Sequence, residues 1–323
     1  MKLRLVVAAS LLVGLGAELL LTSAPVAAEE VSASTLRVSP LRSDVEVNPG
    51  ESRKVKVTVT NPNDQPIKVS PVVNDFVAQD ENGTPALLLN DNSHANHHSL
   101  RRLTQSIEPI TVPAKESVAI EVEISTPQVL EPGGYFGAVR FTPTPANGGN
   151  VNMSASVASL ILLRVKGDAP ERLNLTNFDV QQQGDSKRML FNSSDLSIMV
   201  RFENTGGVQL SPTGKVSVMK SGQVVFESDF NNKVQHDMVL PDSARRWSIP
   251  VDELSGLGIY TATATFTYGQ KNQTIEVTKS FWVIPRSLIA IAAGSLVVLV
   301  AAVVGVVLRR RAAARRRPRF GRY

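Results

Sequence analysis

The stretch Tyr260-Thr261-Ala262-Thr263-Ala264-Thr265-Phe266-Thr267 decides the fold class. Every second residue is apolar and every intervening one is threonine. A helix would scatter Tyr260, Ala262, Ala264 and Phe266 around its axis, whereas a strand puts all four on one face and the hydroxyls on the other. The same period of two recurs at Val55, Val57 and Val59 against Lys54, Lys56 and Thr58. It returns at Val118, Ile120, Val122 and Ile124 against Ala119, Glu121 and Glu123, and again at Leu196, Ile198, Val200 and Phe202. No soluble stretch carries a comparable amphipathic helical pattern, so the body of the chain reads as half-buried strands.

Turn residues break these strands at short intervals: Asn61-Pro62-Asn63-Asp64, Asn82-Gly83, Pro132-Gly133-Gly134, Asn147-Gly148-Gly149, Gly206-Gly207 and Ser221-Gly222. Short strands between frequent turns predict β-sandwiches. The continuous apolar run Leu160-Ile161-Leu162-Leu163 marks a central strand, and the polar Gly167-Asp168-Ala169-Pro170 behind it reads as a linker. The expected architecture is all-β, with one Ig-like sandwich over residues 29–167 and a second over 168–284. Internal echoes support paired modules. Val112-Pro113-Ala114-Lys115-Glu116-Ser117 and Leu240-Pro241-Asp242-Ser243 each introduce an alternating strand, and Gly134-Tyr135 and Gly258-Ile259-Tyr260 open strands late in each module. In Ig-like folds a tyrosine at this place pins a corner.

The two ends carry different instructions. Lys2 and Arg4 precede an apolar run from Leu5 to Ala17, and Val26-Ala27-Ala28 supplies small residues ahead of Glu29-Glu30, a signal-peptide layout with cleavage after Ala28. Ser287 to Leu308 holds no charge and is long enough for a transmembrane helix. Eight arginines follow it, among residues 309–323, and mark a cytoplasmic tail, which places the body outside a cell membrane crossed once. Of the 34 Lys and Arg residues, two lie before the body and eight behind it, leaving 24 against 28 acidic residues, a body charge near −4. The basic balance of the whole chain therefore belongs to its ends, and nucleic acid is not an expected partner.

No cysteine occurs, which removes disulfides, thiol nucleophiles and thiolate metal sites together. His94, His97 and His98 are the only metal candidate, but carboxylates are absent from their neighbourhood, and a solvated loop is the expected reading. Asp80, Asn82 and Thr84 begin like a calcium loop, yet Pro85 stands where that loop requires glycine, so an ordinary turn is expected. Nucleophile-elbow, zincin and phosphate-loop motifs are all missing, and neither an enzyme nor a cofactor is expected. Trp247 alternates with Ile249 and Val251 and reads as core. Trp282, five residues before Ser287, either sits among lipid headgroups or closes the last strand with Phe281 and Val283.

The order of parts resembles the WxL-interacting protein family of Gram-positive bacteria. Its most specific segments here are Leu36-Arg37-Val38-Ser39-Pro40, Val47-Asn48-Pro49-Gly50-Glu51-Ser52, Val57-Thr58-Val59-Thr60-Asn61-Pro62, Val112 to Ser117, and Pro132-Gly133-Gly134-Tyr135-Phe136-Gly137-Ala138-Val139. The resemblance implies peptidoglycan binding by the first module and partner binding, including a WxL-type surface protein, by the second. The rival expectations are a membrane-tethered assembly chaperone and a surface hydrolase or metal protein using His94, His97 and His98. Within the first module, the long segment Val77–Ser106 and the Gly133–Gly137 turn form the expected ligand surface. Arg101 and Arg102 act there as donors, Gly133 and Gly134 allow close backbone approach, and Phe136 stacks on a sugar ring.

Overall fold

The computed structural model describes residues 36–90, 94–95, 97–144, 156–182, 190–191, 194–252 and 254–315. The expected signal segment and the last arginines of the tail lie outside the described residues. The first module contains β1 (Arg37–Ser39), β2 (Arg42–Val47), β3 (Ser52–Thr60), β4 (Ile67–Ala78), β5 (Pro85–Leu87), a 3-10 turn (Arg101–Leu103), β6 (Ile110–Val112), β7 (Ser117–Ser125), β8 (Gly133–Thr144) and β9 (Val157–Val165). One sheet has the order β1-β3-β7, and the facing sheet runs β2-β9-β8-β4-β5 with β6 also paired to β4. The chain changes sheets at Pro40: β1 is antiparallel to β3, whereas β2 runs parallel to β9, from Arg42 opposite Leu160 to Val47 opposite Val165. The run Leu160–Leu163 is thus central, flanked by β2 and β8.

Alternation becomes burial as expected. Val55, Val57 and Val59 from β3 and Ile120, Val122 and Ile124 from β7 meet Phe141, Ile161 and Leu163 of the facing sheet in one apolar cluster. Lys54 and Glu121, on the outer face, pair at 3.0 Å.

The second module holds β10 (Leu173–Gln182), β11 (Leu190–Phe191), β12 (Leu196–Asn204), β13 (Thr213–Lys220), β14 (Gln223–Phe230), β15 (Ser243–Val251), β16 (Gly258–Tyr268) and β17 (Gln273–Val283). Its sheets are β10-β12-β15 and β11-β17-β16-β13-β14. Tyr260, Ala262, Ala264 and Phe266 face Ile198, Val200 and Phe202 in its own core, while Trp247 packs edge-on against Phe202 and Phe230. The fold is therefore Ig-like in both modules, and one helix follows, α1 (Arg286–Arg315). Its stretch Ser287–Arg311 is long and apolar enough to cross a membrane.

A third apolar cluster joins the modules. Phe76, Phe136, Ala138 and Leu162 lie on the outer side of the larger first-module sheet and pack on Met238 and Leu240 of the second. Polar contacts surround this patch. Arg201 donates to Glu81 Oε1 through Nε (3.0 Å) and Nη2 (2.9 Å), and the Arg246 amide donates to the Glu81 carbonyl at 2.7 Å. Arg42 Nη1 donates to the His236 carbonyl at 3.0 Å. In the linker, Glu171 accepts from Arg164 at 2.6 Å and from the Gln270 amide at 2.9 Å, so a nearly buried carboxylate links β9 to the β16–β17 turn.

Candidate functional site in the cleft between the modules

The long segment after β4 does not hang free. β4 itself runs to Ala78, and Asp80 organises the next turn by accepting from the Thr84 and Asn82 amides. Those bonds, that of Thr84 foremost, hold the Asp80 carboxyl below its ordinary range. β5 pairs back onto β4, and the fully buried Asp75 then accepts from the Ala95 amide at 3.0 Å and the Arg101 amide at 2.8 Å. Leu100 and Leu103 drop into the core below. The segment packs across the sheet: the buried Asp75 carboxylate accepts from its backbone and two leucines pin it, because buried amides would otherwise go unpaired.

This folding places His98 against β8. Its carbonyl accepts from the Phe136 amide at 2.8 Å, and its Nδ1 lies 2.5 Å from the Gly134 carbonyl. A carbonyl can only accept, so Nδ1 carries the proton of that contact. The ring also stands edge-on to Tyr135. Among the described residues no group of three His, Asp or Glu side chains is arranged to hold a metal ion.

Beside His98 opens a cleft of about 500 Å³. Its first-module wall comprises His97, His98, Ser99, Arg102 and the Val129–Gly133 turn with Tyr135, and its second-module wall is made of Pro170, Thr205, Gly206 and Gly207. Tyr135 sets the shape of the turn, since its hydroxyl donates to the Glu131 carbonyl at 2.8 Å, four residues upstream. Partial burial raises the Tyr135 pKa, with Glu131 adding to the effect, and the hydroxyl stays a donor at neutral pH. Val129 is fully open to solvent, and the Ser99 hydroxyl is buried without a protein partner. The cleft thus offers one exposed guanidinium, a carboxylate, two imidazoles, backbone groups and a small apolar rim. That mixture suits a ligand with both amide and carboxylate groups.

The expected site residues divide between two faces. Arg102 and Gly133 line the cleft. Arg101 turns toward the Asn90 carbonyl, at 3.5 Å. Gly134 does allow close backbone approach, but its neighbour is the second module: its amide donates to the Gly207 carbonyl at 2.9 Å, and a Cβ there would stand 2.5 Å from the Phe136 ring. Stacking of Phe136 on a sugar is corrected, because the ring is 3% exposed and packs on Phe76 and His98 beneath the second module. Sequence reasoning missed Val129–Glu131 and the whole contribution of Thr205–Gly207. The only local signal was an apolar Val129-Leu130 pair inside a turn; Leu130 packs on the core, whereas Val129 is exposed.

Two Ig-like modules line a shared cleft, and a single apolar helix follows them. Residues 43–143, within the first module, match the family described as WxL Interacting Protein, peptidoglycan binding domain. No curated protein sequence matches the chain. Among solved structures the chain is similar to the Class 5 fimbriae chaperone CfaA, at 10% identity and a TM-score of 0.42 over 76% of this chain and 99% of that one. It is also similar to the Pseudomonas aeruginosa CupB2 chaperone, at 10% identity and a TM-score of 0.35 over 77% and 100%.

Proposed function

We propose that the protein is a noncatalytic, membrane-tethered surface protein that grips peptidoglycan in the inter-module cleft and offers its second module to another surface protein. The observation that carries this reading is the overlap between the family match at residues 43–143 and the cleft wall, of which every first-module residue lies inside that range. Peptide stems of peptidoglycan carry carboxylates, which Arg102 suits as a charge-assisted donor. Their amides suit the backbone groups of Gly133 and Gly207, and their methyl groups suit Val129 and Leu130. The anchor in this proposal is α1, with the body outside and the arginines inside.

The test is sedimentation of residues 29–286 with purified cell walls. Arg102→Ala is expected to lower wall binding severalfold, whereas Arg101→Ala leaves it near the wild-type level. Equal losses from both variants, or none from either, would remove the cleft from consideration. A second reading, an assembly chaperone, draws on β14, which pairs with β13 at one edge and exposes Val224 and Val225. Crosslinking in cells from position 225 to a secreted client would favour it.

A further inference from the structure

The second module carries an apolar patch that neither its core nor the wall-binding cleft uses. Leu257 and Ile259 are each 52% exposed and Trp282 is 45% exposed. Ile259 lies directly opposite Trp282 across the β16–β17 pair, and the flanking Tyr260, Phe281 and Val283 point inward and are buried. One continuous outward face therefore presents an isoleucine beside an indole. Isolated exposed hydrophobes need no explanation, but an exposed isoleucine set directly opposite an exposed tryptophan does.

Its position supplies the occupant. Only Ile284 and Pro285 separate β17 from α1. The Ile284 amide donates to the Phe191 carbonyl at 2.9 Å, and Pro285 removes a further backbone rotation. Trp282 is four residues from Arg286, so even a fully extended chain keeps it within about 14 Å of the first helical residue. A bilayer adds roughly 5 to 7 Å of headgroup region on each side of its hydrocarbon core, the depth at which tryptophan collects. Lys220 stands at the same end of the module, its Nζ bonded to the Ser255 carbonyl at 3.1 Å and 5.0 Å from the centre of the Tyr260 ring. An ammonium beside an apolar patch suits a surface of lipid phosphates over acyl chains.

We infer that Leu257, Ile259 and Trp282 form a membrane-docking face that seats the second module on the lipid surface. The module is then held against the bilayer at two places, the helix and this patch. The inference rests on the reading of α1 as a membrane span.

The test uses the full chain reconstituted into vesicles of phosphatidylcholine and phosphatidylglycerol, with and without bromine on the acyl chains near the headgroups. The protein has two tryptophans, Trp247 and Trp282. Docking predicts that the chain floats with the vesicles, that brominated lipid quenches part of its tryptophan emission, and that Trp282→Phe abolishes this quenching while Trp247 emission remains. The double variant Leu257→Ser/Ile259→Ser, read at Trp282, should lose most of the lipid quenching and become open to aqueous iodide. Flotation without any lipid quenching of wild-type emission would overturn the docking face and leave the anchor standing. Failure to float would overturn both.

Discussion

The two modules use one corner design for different ends. In each, a tyrosine late in the sequence donates to the carbonyl four residues upstream: Tyr135 to Glu131 and Tyr260 to Gly256. Tyr260 is completely buried, also reaches the Ser255 carbonyl, and stacks on Phe281. Tyr135 makes a single corner bond and lines the cleft. A second shared device is a buried asparagine at the end of a core strand. Asn61 Nδ2 donates to the carbonyls of Gln65 and Val112, and Asn204 Nδ2 to those of Val208 and Val239, while each Oδ1 accepts from the amide two residues on. Even the turn before the following strand is shared, with Lys115 at φ 59 and Asp242 at φ 54. The backbone scaffold is thus repeated, and the difference lies in what covers the corner. The second module closes over its tyrosine, whereas the first leaves its tyrosine half open at the junction.

The largest expected effect follows from that asymmetry. Tyr260→Ala should destabilise residues 36–284 by about 3 to 5 kcal/mol in urea unfolding, since a fully buried ring leaves a cavity, while Tyr135→Ala should cost about 2 to 4 kcal/mol. A larger loss at Tyr135 would reverse the assignment of closed and open corners. The asparagines should behave alike instead: Asn61→Ala and Asn204→Ala each strand buried carbonyls and an amide, at a cost of about 2 to 3 kcal/mol. If calorimetry shows one of them to be nearly neutral, the two modules do not share this device. The smallest effect concerns the bridge between the modules. A double-mutant cycle on Glu81→Ala and Arg201→Ala should give a coupling of about 0.5 to 1 kcal/mol, because both side chains are partly solvated. The hydrogen bond from Arg201, foremost, holds the Glu81 carboxyl below its ordinary value. Its folded-state pKa is depressed, so the coupling is fully present above the ordinary carboxylate range and fades as pH falls through the folded-state value. A coupling unchanged in acid would mean that the carboxylate is not its source.

Strand identity, the paired tyrosine corners and the apolar helix were all legible in residue order. Each depends on local regularities: the two-residue period of a strand, the turn preferences of Pro, Gly and Asn, and the length of a charge-free run. Tyr135 and Phe136 show where that legibility stopped. Alternation correctly sends them to opposite faces, yet it cannot say which face is covered. That was decided by Met238 and Leu240, about 100 residues further along the chain, which bury Phe136 and leave Tyr135 beside the cleft. Arg101 and Arg102 are likewise neighbours in sequence and separated in role, because Asp75 fixes the backbone between β5 and β6 and turns only one guanidinium toward Thr205–Gly207. Trp282 pairs in the last strand through its backbone and turns its ring outward, beside Phe281 and Val283, which are buried. A strand pattern specifies which residues share a face. The identity of the covering surface is a long-range packing outcome, and it exists only once both modules have met.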